Sequence, residues 1–228
     1  MLNKLKTTTA ALALVAVTKW AQHHSFGLLH LLALPGRWPI VAAIVALDCW
    51  QYWWHRLNHC VPFLWRFHAA HHADAELDAS SGVRFHTGEM CCSFLARLVL
   101  LPLLGVTVPQ LLLYESLALP VILFHHSNIR ISGTADRCLR WLIPTPWMHW
   151  VHHSRWQPET DSNFTSLLSV WDRLFGSFRL NPRPSEISLG LDHSTGPEWR
   201  QLPGILLSPI KTRAEESASR KDSNARKW

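Results

Sequence analysis

Residues 93–126 read SFLARLVLLPLLGVTVPQLLLYESLALPVILFHH, an apolar run interrupted by Pro102, Gly105, Pro109 and Pro120 and closed by two histidines. A bilayer crossing takes roughly 20 helical residues, so the run is too long for one helix and short for two full ones. It predicts a tight hairpin of two short spans turning near Gly105 to Pro109. Two apolar segments precede it: residues 7–20, and residues 38–54 (WPIVAAIVALDCWQYWW), which end in aromatics of the kind that favour a membrane boundary. Four short spans put both ends of the chain on one side. That side holds Lys4, Lys6, residues 55–92 and everything after Ile129, hence nearly all the Lys and Arg, and the positive-inside rule makes it cytoplasmic. Beyond residue 129 the pattern turns polar and Pro-punctuated, with helices expected near 136–142, 147–154 and 164–175. The expected fold is an all-α membrane protein, with about four short transmembrane or hairpin helices and a cytosolic, histidine-rich helical cap.

Composition agrees. Of 228 residues, 17% are charged, against roughly 25% in soluble domains. The 13 Trp suit a bilayer interface, and the 48% hydrophobic content excludes a disordered chain. Five cysteines without CxxC spacing argue against structural disulfides and for a reducing compartment. The formal charge is +6, and half of it sits in Lys211 to Trp228, a stretch expected to be a disordered basic tail beside an anionic membrane surface. The rest of the positive charge forms no stripe interleaved with aromatics, and no zinc-finger or RNA-binding motif appears, so nucleic acid is not an expected partner. Lys4 and Lys6 ahead of Thr7 to Val17 look like the front of a signal peptide. No small-x-small cleavage site follows, which favours an uncleaved anchor helix.

The chemistry lies in the histidines. His55-Arg56-Leu57-Asn58-His59 is an HxxxH; His68-Ala69-Ala70-His71-His72 and His149-Trp150-Val151-His152-His153 are both HxxHH. With 15 His in the chain, chance supplies on the order of 0.06 HxxHH motifs, so two are not an accident. Residues four apart on a helix lie on one face, with Cβ atoms roughly 5–6 Å apart, and two such imidazoles can close on one metal ion. In HxxHH the adjacent pair diverges by roughly 100°, so one box can serve two neighbouring ions. Three boxes supply eight imidazoles, too many for one ion and enough for two, and such sites suit iron, zinc or copper. The boxes lie outside the apolar spans, which argues against a transport path through the membrane. Asp48, Tyr52, His55 and His59 form one stripe, so Asp48 could orient a ligating imidazole. His125 and His126, at the end of the hairpin, face the same boundary and offer a ninth ligand; His86, beside Arg84 and Glu89, is a weaker candidate. His23, His24, His30 and His193 carry no pattern.

Taken together, Asp48…Tyr52-Trp53-Trp54-His55-Arg56…His59, Leu64-Trp65-Arg66-Phe67-His68…His71-His72, Arg84-Phe85-His86-Thr87-Gly88-Glu89, Phe124-His125-His126-Ser127-Asn128, the third box, Glu159 to Phe164 and Trp171 to Gly176 resemble the fatty acid hydroxylase/sterol desaturase superfamily over approximately residues 44–180. The resemblance implies a helical membrane enzyme that binds two irons through His55, His59, His68, His71, His72, His126, His149, His152 and His153, with His86 a further candidate, and uses O2 to hydroxylate or desaturate a lipid C–H bond. Asp161 and Asn163 match positions lining the site. Thr87 stands where the family usually has Pro after its Arg-x-His motif, which weakens His86. The expected organisation is an N-terminal membrane anchor region at 1–37, a catalytic domain at 38–180 and a C-terminal extension at 181–228. No dinucleotide fingerprint appears, so electrons are expected from a ferredoxin or cytochrome-type donor with its reductase, docking on the basic face. Two other classes compete. A zinc hydrolase would want an HExxH-like pairing with a general base, which is absent. A metal-storage or scaffold protein would not require helical spacing throughout.

Overall fold

The structure, a computed structural model, describes residues 2–191, 201 and 203–210. His193 and the basic tail from Lys211 onward lie outside the described residues. Within them the chain is mostly helical and forms no strand, only an isolated bridge between Ser154 and Leu189. α1 (Leu2–His23), the short α2 (Leu28–Leu32), α3 (Trp38–Cys60) and α4 (Pro62–His72) lead through a 3-10 turn at Ala79–Val83 into α5 (Thr87–Leu104) and α6 (Val108–His126). The remainder holds α7 (Gly133–Leu139), α8 (Pro146–His152), α9 (Gln157–Thr160), α10 (Val170–Leu174) and a 3-10 turn at Pro184–Glu186.

α5 and α6 form the hairpin expected from residues 93–126. Gly105, in the left-handed region at φ 71°, ends α5 with its N–H on the Leu101 and Pro102 carbonyls. Thr107 and Gln110 then cap α6 reciprocally, the Gln110 side-chain oxygen accepting the Thr107 N–H at 2.8 Å. α5 starts six residues earlier than the apolar pattern suggested, because His86 caps it by accepting the Gly88 N–H at 2.8 Å. At the far turn Gly27 and Gly105 meet backbone to backbone, and a Cβ on either would overlap the other's main chain. This contact ties the loop after α1 to the hairpin tip while α1 packs along α5.

Among the described residues α5 and α6 are the two helices long and apolar enough to cross a membrane. Their outer faces present Leu95, Val99, Leu103, Leu112 and Leu117. α1 and α3 are at least as long but less apolar, with Lys19 in one and Asp48 and Arg56 in the other, and do not join that pair, so four crossings are not confirmed. A correction concerns residues 164–175. Only Val170–Leu174 is helical, because the buried Asp172 carboxylate takes the Phe164 and Thr165 N–H groups and holds that segment in a loop.

Candidate metal centre

Four helices end at one place. α3 brings His55 and His59 in its last two turns, and the turn at Val61, with Pro62 at the start of α4, folds α4 back with His68, His71 and His72. α6 ends on His126, and α8 carries His149 and His152, with His153 at its C-cap. The nine rings form two groups, His55, His59, His68, His72 and His152 in one and His71, His126, His149 and His153 in the other. Within each group the nitrogen atoms that could bind an ion all lie within 4.8 Å of one another. Each HxxHH is split between the groups. The second box gives its i, i+4 pair His68 and His72 to the first group and His71 to the other; the third gives His149 and His153 to the second group and His152 to the first. The groups adjoin, His72 stacking on His153 at 4.3 Å between ring centroids.

Hydrogen bonds outside the cluster determine which nitrogen faces inward. Nδ1 of His55 reaches the Phe164 carbonyl at 2.8 Å, His152 that of Ser162 at 2.7 Å, His71 that of Arg84 at 3.2 Å and His126 that of Ile122 at 2.8 Å. A carbonyl only accepts, so each Nδ1 carries the hydrogen and each Nε2 is left with a lone pair. Yet the Nε2 atoms of His55 and His152 face each other at 3.0 Å, and those of His71 and His126 at 3.2 Å. A proton between either pair would make an imidazolium inside the protein. Burial opposes this, and holds His152 and His71 well below the ordinary imidazole range. Facing lone pairs in a buried cluster call for a cation. Nε2 of His59, His68 and His72 is likewise buried without a hydrogen-bond partner. The residues fit a pair of metal ions bound through neutral imidazole nitrogen.

Two carboxylates complete the outer ring. Glu89 accepts from Nδ1 of His68 at 2.8 Å, both side chains being buried, and Asp161, about half exposed, lies 3.3 Å from Nδ1 of His59. Glu89 was missed as a partner, although the sequence carries a signal for it. It is the one acidic residue of α5, a largely apolar helix, and such a group is retained at a cost only for a purpose. Glu89→Ala is expected to weaken metal binding about 10- to 100-fold, measured by chelator competition; unchanged affinity would remove Glu89 from the site.

Three other expected site residues go elsewhere. Asp48 does not reach an imidazole. Its carboxylate takes the Leu168 N–H, the Trp171 indole N–H at 2.7 Å and the Tyr114 hydroxyl, because the loop before α10 lies over that end of the α3 stripe. Asn163, with φ 53°, binds the Met148 and Arg179 carbonyls and the Arg179 N–H, so its amide staples backbone rather than lining the cluster. His86 belongs to neither group, its Nδ1 being used to cap α5. His125 is buried against His149 at 4.2 Å but also stands outside both.

Burial makes the metal-free cluster sensitive to acid. It holds His68 at about 3, against about 6.5 for a free imidazole. Lowered values mean that the unfolded chain takes up protons that the folded chain refuses. Stability is therefore complete above about 6.5 and declines as pH falls from there towards 3. Metal-free protein should melt at progressively lower temperature between about pH 7 and pH 5. A flat profile would contradict the neutral-imidazole assignment.

A cavity of about 390 Å³ opens between α3, α5 and α6, lined by His55, His68, His71, His126 and His149 together with Trp54, Phe94, Ala118 and Ile122. The cavity adjoins the cluster, so a group held by the imidazoles would face a largely apolar space. Comparison with known proteins agrees: the sequence profile described as fatty acid hydroxylase matches residues 40–177. The chain belongs to the fatty acid hydroxylase family. Its relatives include ornithine lipid hydroxylase OlsE of Rhizobium tropici, 32% identical over 69% of this chain and 48% of that protein. Alkylglycerol monooxygenase of Danio rerio is 29% identical over 73% of this chain and 36% of its own length. Cholesterol 25-hydroxylase of Rattus norvegicus is 27% identical over 66% and 50%. The chain thus spans between a third and a half of these family members. No solved structure matches.

Proposed function

We propose that this protein is a membrane-bound oxidoreductase that hydroxylates a C–H bond of a lipid with O2 and electrons from a ferredoxin or cytochrome-type carrier and its reductase. Two irons would be held by the nine grouped histidines, His55, His59, His68, His72 and His152 around one and His71, His126, His149 and His153 around the other. Iron so bound supplies O2 activation and the oxidising power to break the C–H bond. The observation that carries the reading is the pair of facing, proton-free Nε2 contacts beside an apolar cavity.

The chain's own part is to orient and to exclude. The carbonyls of Arg84, Ile122, Ser162 and Phe164, with Glu89 and Asp161, hold the Nδ1 hydrogens and so present Nε2 inward. Trp54, Phe94 and Ile122 keep water from the reacting carbon and hold the substrate chain beside the cluster. Asp161, the exposed outer partner, connects the cluster to solvent. Residues 38–180 form the catalytic unit in this reading. The hairpin sits in the bilayer and the histidines at its cytoplasmic face. Hydroxylation is preferred to desaturation, since relatives carry hydroxylase and monooxygenase names.

The test is to purify the full chain in detergent, count iron, and supply O2 with a reductant and membrane lipid extract. The expected result is two irons per chain and a lipid product heavier by one oxygen in mass spectrometry. Zinc alone with hydrolytic activity would favour a hydrolase, and several loosely held ions a storage protein.

A further inference from the structure

One wall of the cavity is charged. Arg97 of α5 donates to Glu115 of α6 at 2.6 Å and, through its other terminal nitrogen, to Gln51 of α3 at 3.4 Å. Gln51, Arg97 and Glu115 line the large cavity on one side and a crevice of about 10 Å³ on the other, so they form a wall between the two, with the Glu115 side chain 44% exposed. Both charged residues lie mid-way along helices apolar enough to cross a membrane. Charges at that depth are costly, and a hydrophobic pair of similar volume is often at least as stable. Holding the hairpin together does not require them.

We infer that Gln51, Arg97 and Glu115 determine substrate choice by seating the hydroxyl of a lipid alcohol at this polar wall of the cavity. This rests on the hydroxylase reading. The pair has no net charge, so a charged headgroup would leave one uncompensated charge in a low-dielectric wall. A hydroxyl does not: it accepts from Arg97 and donates to Glu115. The walls between are apolar, with Phe94, Met90, Ala118 and Ile122 along them. Arg97 lies eight residues from Glu89, about 12 Å along α5, and Glu115 eleven residues from His126, about 16 Å along α6. Gln51 lies four residues, about 6 Å along α3, before His55, so the seat stands about 6–16 Å from the cluster along the three helices, and the protein reads the substrate by a group that does not react.

Full-length protein in detergent is assayed with radiolabelled stearyl alcohol, competed by unlabelled stearyl alcohol or by methyl stearyl ether, which accepts a hydrogen bond but cannot donate one. Wild type is expected to favour the alcohol about tenfold. R97M/E115L should bind both alike with iron content unchanged, and R97K/E115D, which keeps donor and acceptor, should retain the preference. Glu115→Gln, with shape kept and charge removed, should cut the alcohol's advantage at least about threefold even if the double variant loses iron. No preference in wild type, or preference surviving in either R97M/E115L or Glu115→Gln, overturns the inference. Product formation is followed in parallel. Preference without any oxidised lipid supports the inference and overturns the hydroxylase reading; oxidation of alcohol and ether with equal binding overturns the inference alone.

Discussion

His152→Ala is expected to abolish turnover, by at least about a thousandfold, and to empty the group of imidazoles to which it belongs. His152 is fully buried, donates Nδ1–H to Ser162 and turns Nε2 to within 3.0 Å of that of His55. Its ring centroid is 4.7 Å from those of both His59 and His72. Removing it takes away one inward lone pair and leaves the Ser162 carbonyl without its donor. His71→Ala should do the same to the other group, since His71 faces His126 as His152 faces His55. The two losses should not multiply, because residues that act as a unit fail together and both groups serve one reaction. Membrane insertion should persist, as neither ring lies on the outer face of α5 or α6. His86→Ala is the contrast. It removes a helix cap worth about 1 kcal/mol and should leave metal content intact. Iron per chain and product yield measured on these variants decide the matter, and activity surviving both His152→Ala and His71→Ala would discredit the ligand assignment.

Asp172→Asn should destabilise the protein by about 3 kcal/mol or more, on the order of 10 °C in Tm. Fully buried, its carboxylate accepts from the Phe164 N–H and the Ser177 hydroxyl at 2.8 Å each, and from both the N–H and the hydroxyl of Thr165. An amide replaces one accepting oxygen with an NH2 and sets donor against donor, at about 1–3 kcal/mol for each unsatisfied group. The same loop presents Phe164 and Ser162, whose carbonyls hold His55 and His152. Iron affinity should therefore fall even well below the melting temperature, a result that loss of stability alone would not produce. Wild-type melting together with wild-type iron content would show that Asp172 holds neither.

Much was legible in residue spacing. The apolar run of residues 93–126, with Gly105 as its turn, specified a hairpin, because helix length against bilayer thickness and the φ freedom of Gly105 are local properties. The i, i+3, i+4 spacing of both HxxHH boxes specified that each divides its rings between two neighbouring groups, since side-chain direction follows from helix geometry alone. The partition into groups of five and four, with the two boxes contributing in opposite proportion, could not be read that way. It depends on how α4 and α8 face each other across the cluster.

Local pattern misled where a long-range acceptor intervened. Asp48 shares a helical stripe with His55, yet Leu168 and Trp171, more than a hundred residues away in sequence, reach it instead. Asp172 pulls Phe164 and Thr165 out of an expected helix, and Asn163 gives its amide to backbone. Glu89 finds His68 across twenty-one residues, and Arg97 finds Glu115 and Gln51 across a hairpin and a third helix. Sequence alone determined the helices, the imidazole faces and the membrane-seeking hairpin, because periodicity and chain stiffness act within a few residues. Which nitrogen each histidine turns inward, and which charged residues line the cavity, was decided by tertiary structure, because hydrogen-bond partners far apart in the chain meet only when the helices pack.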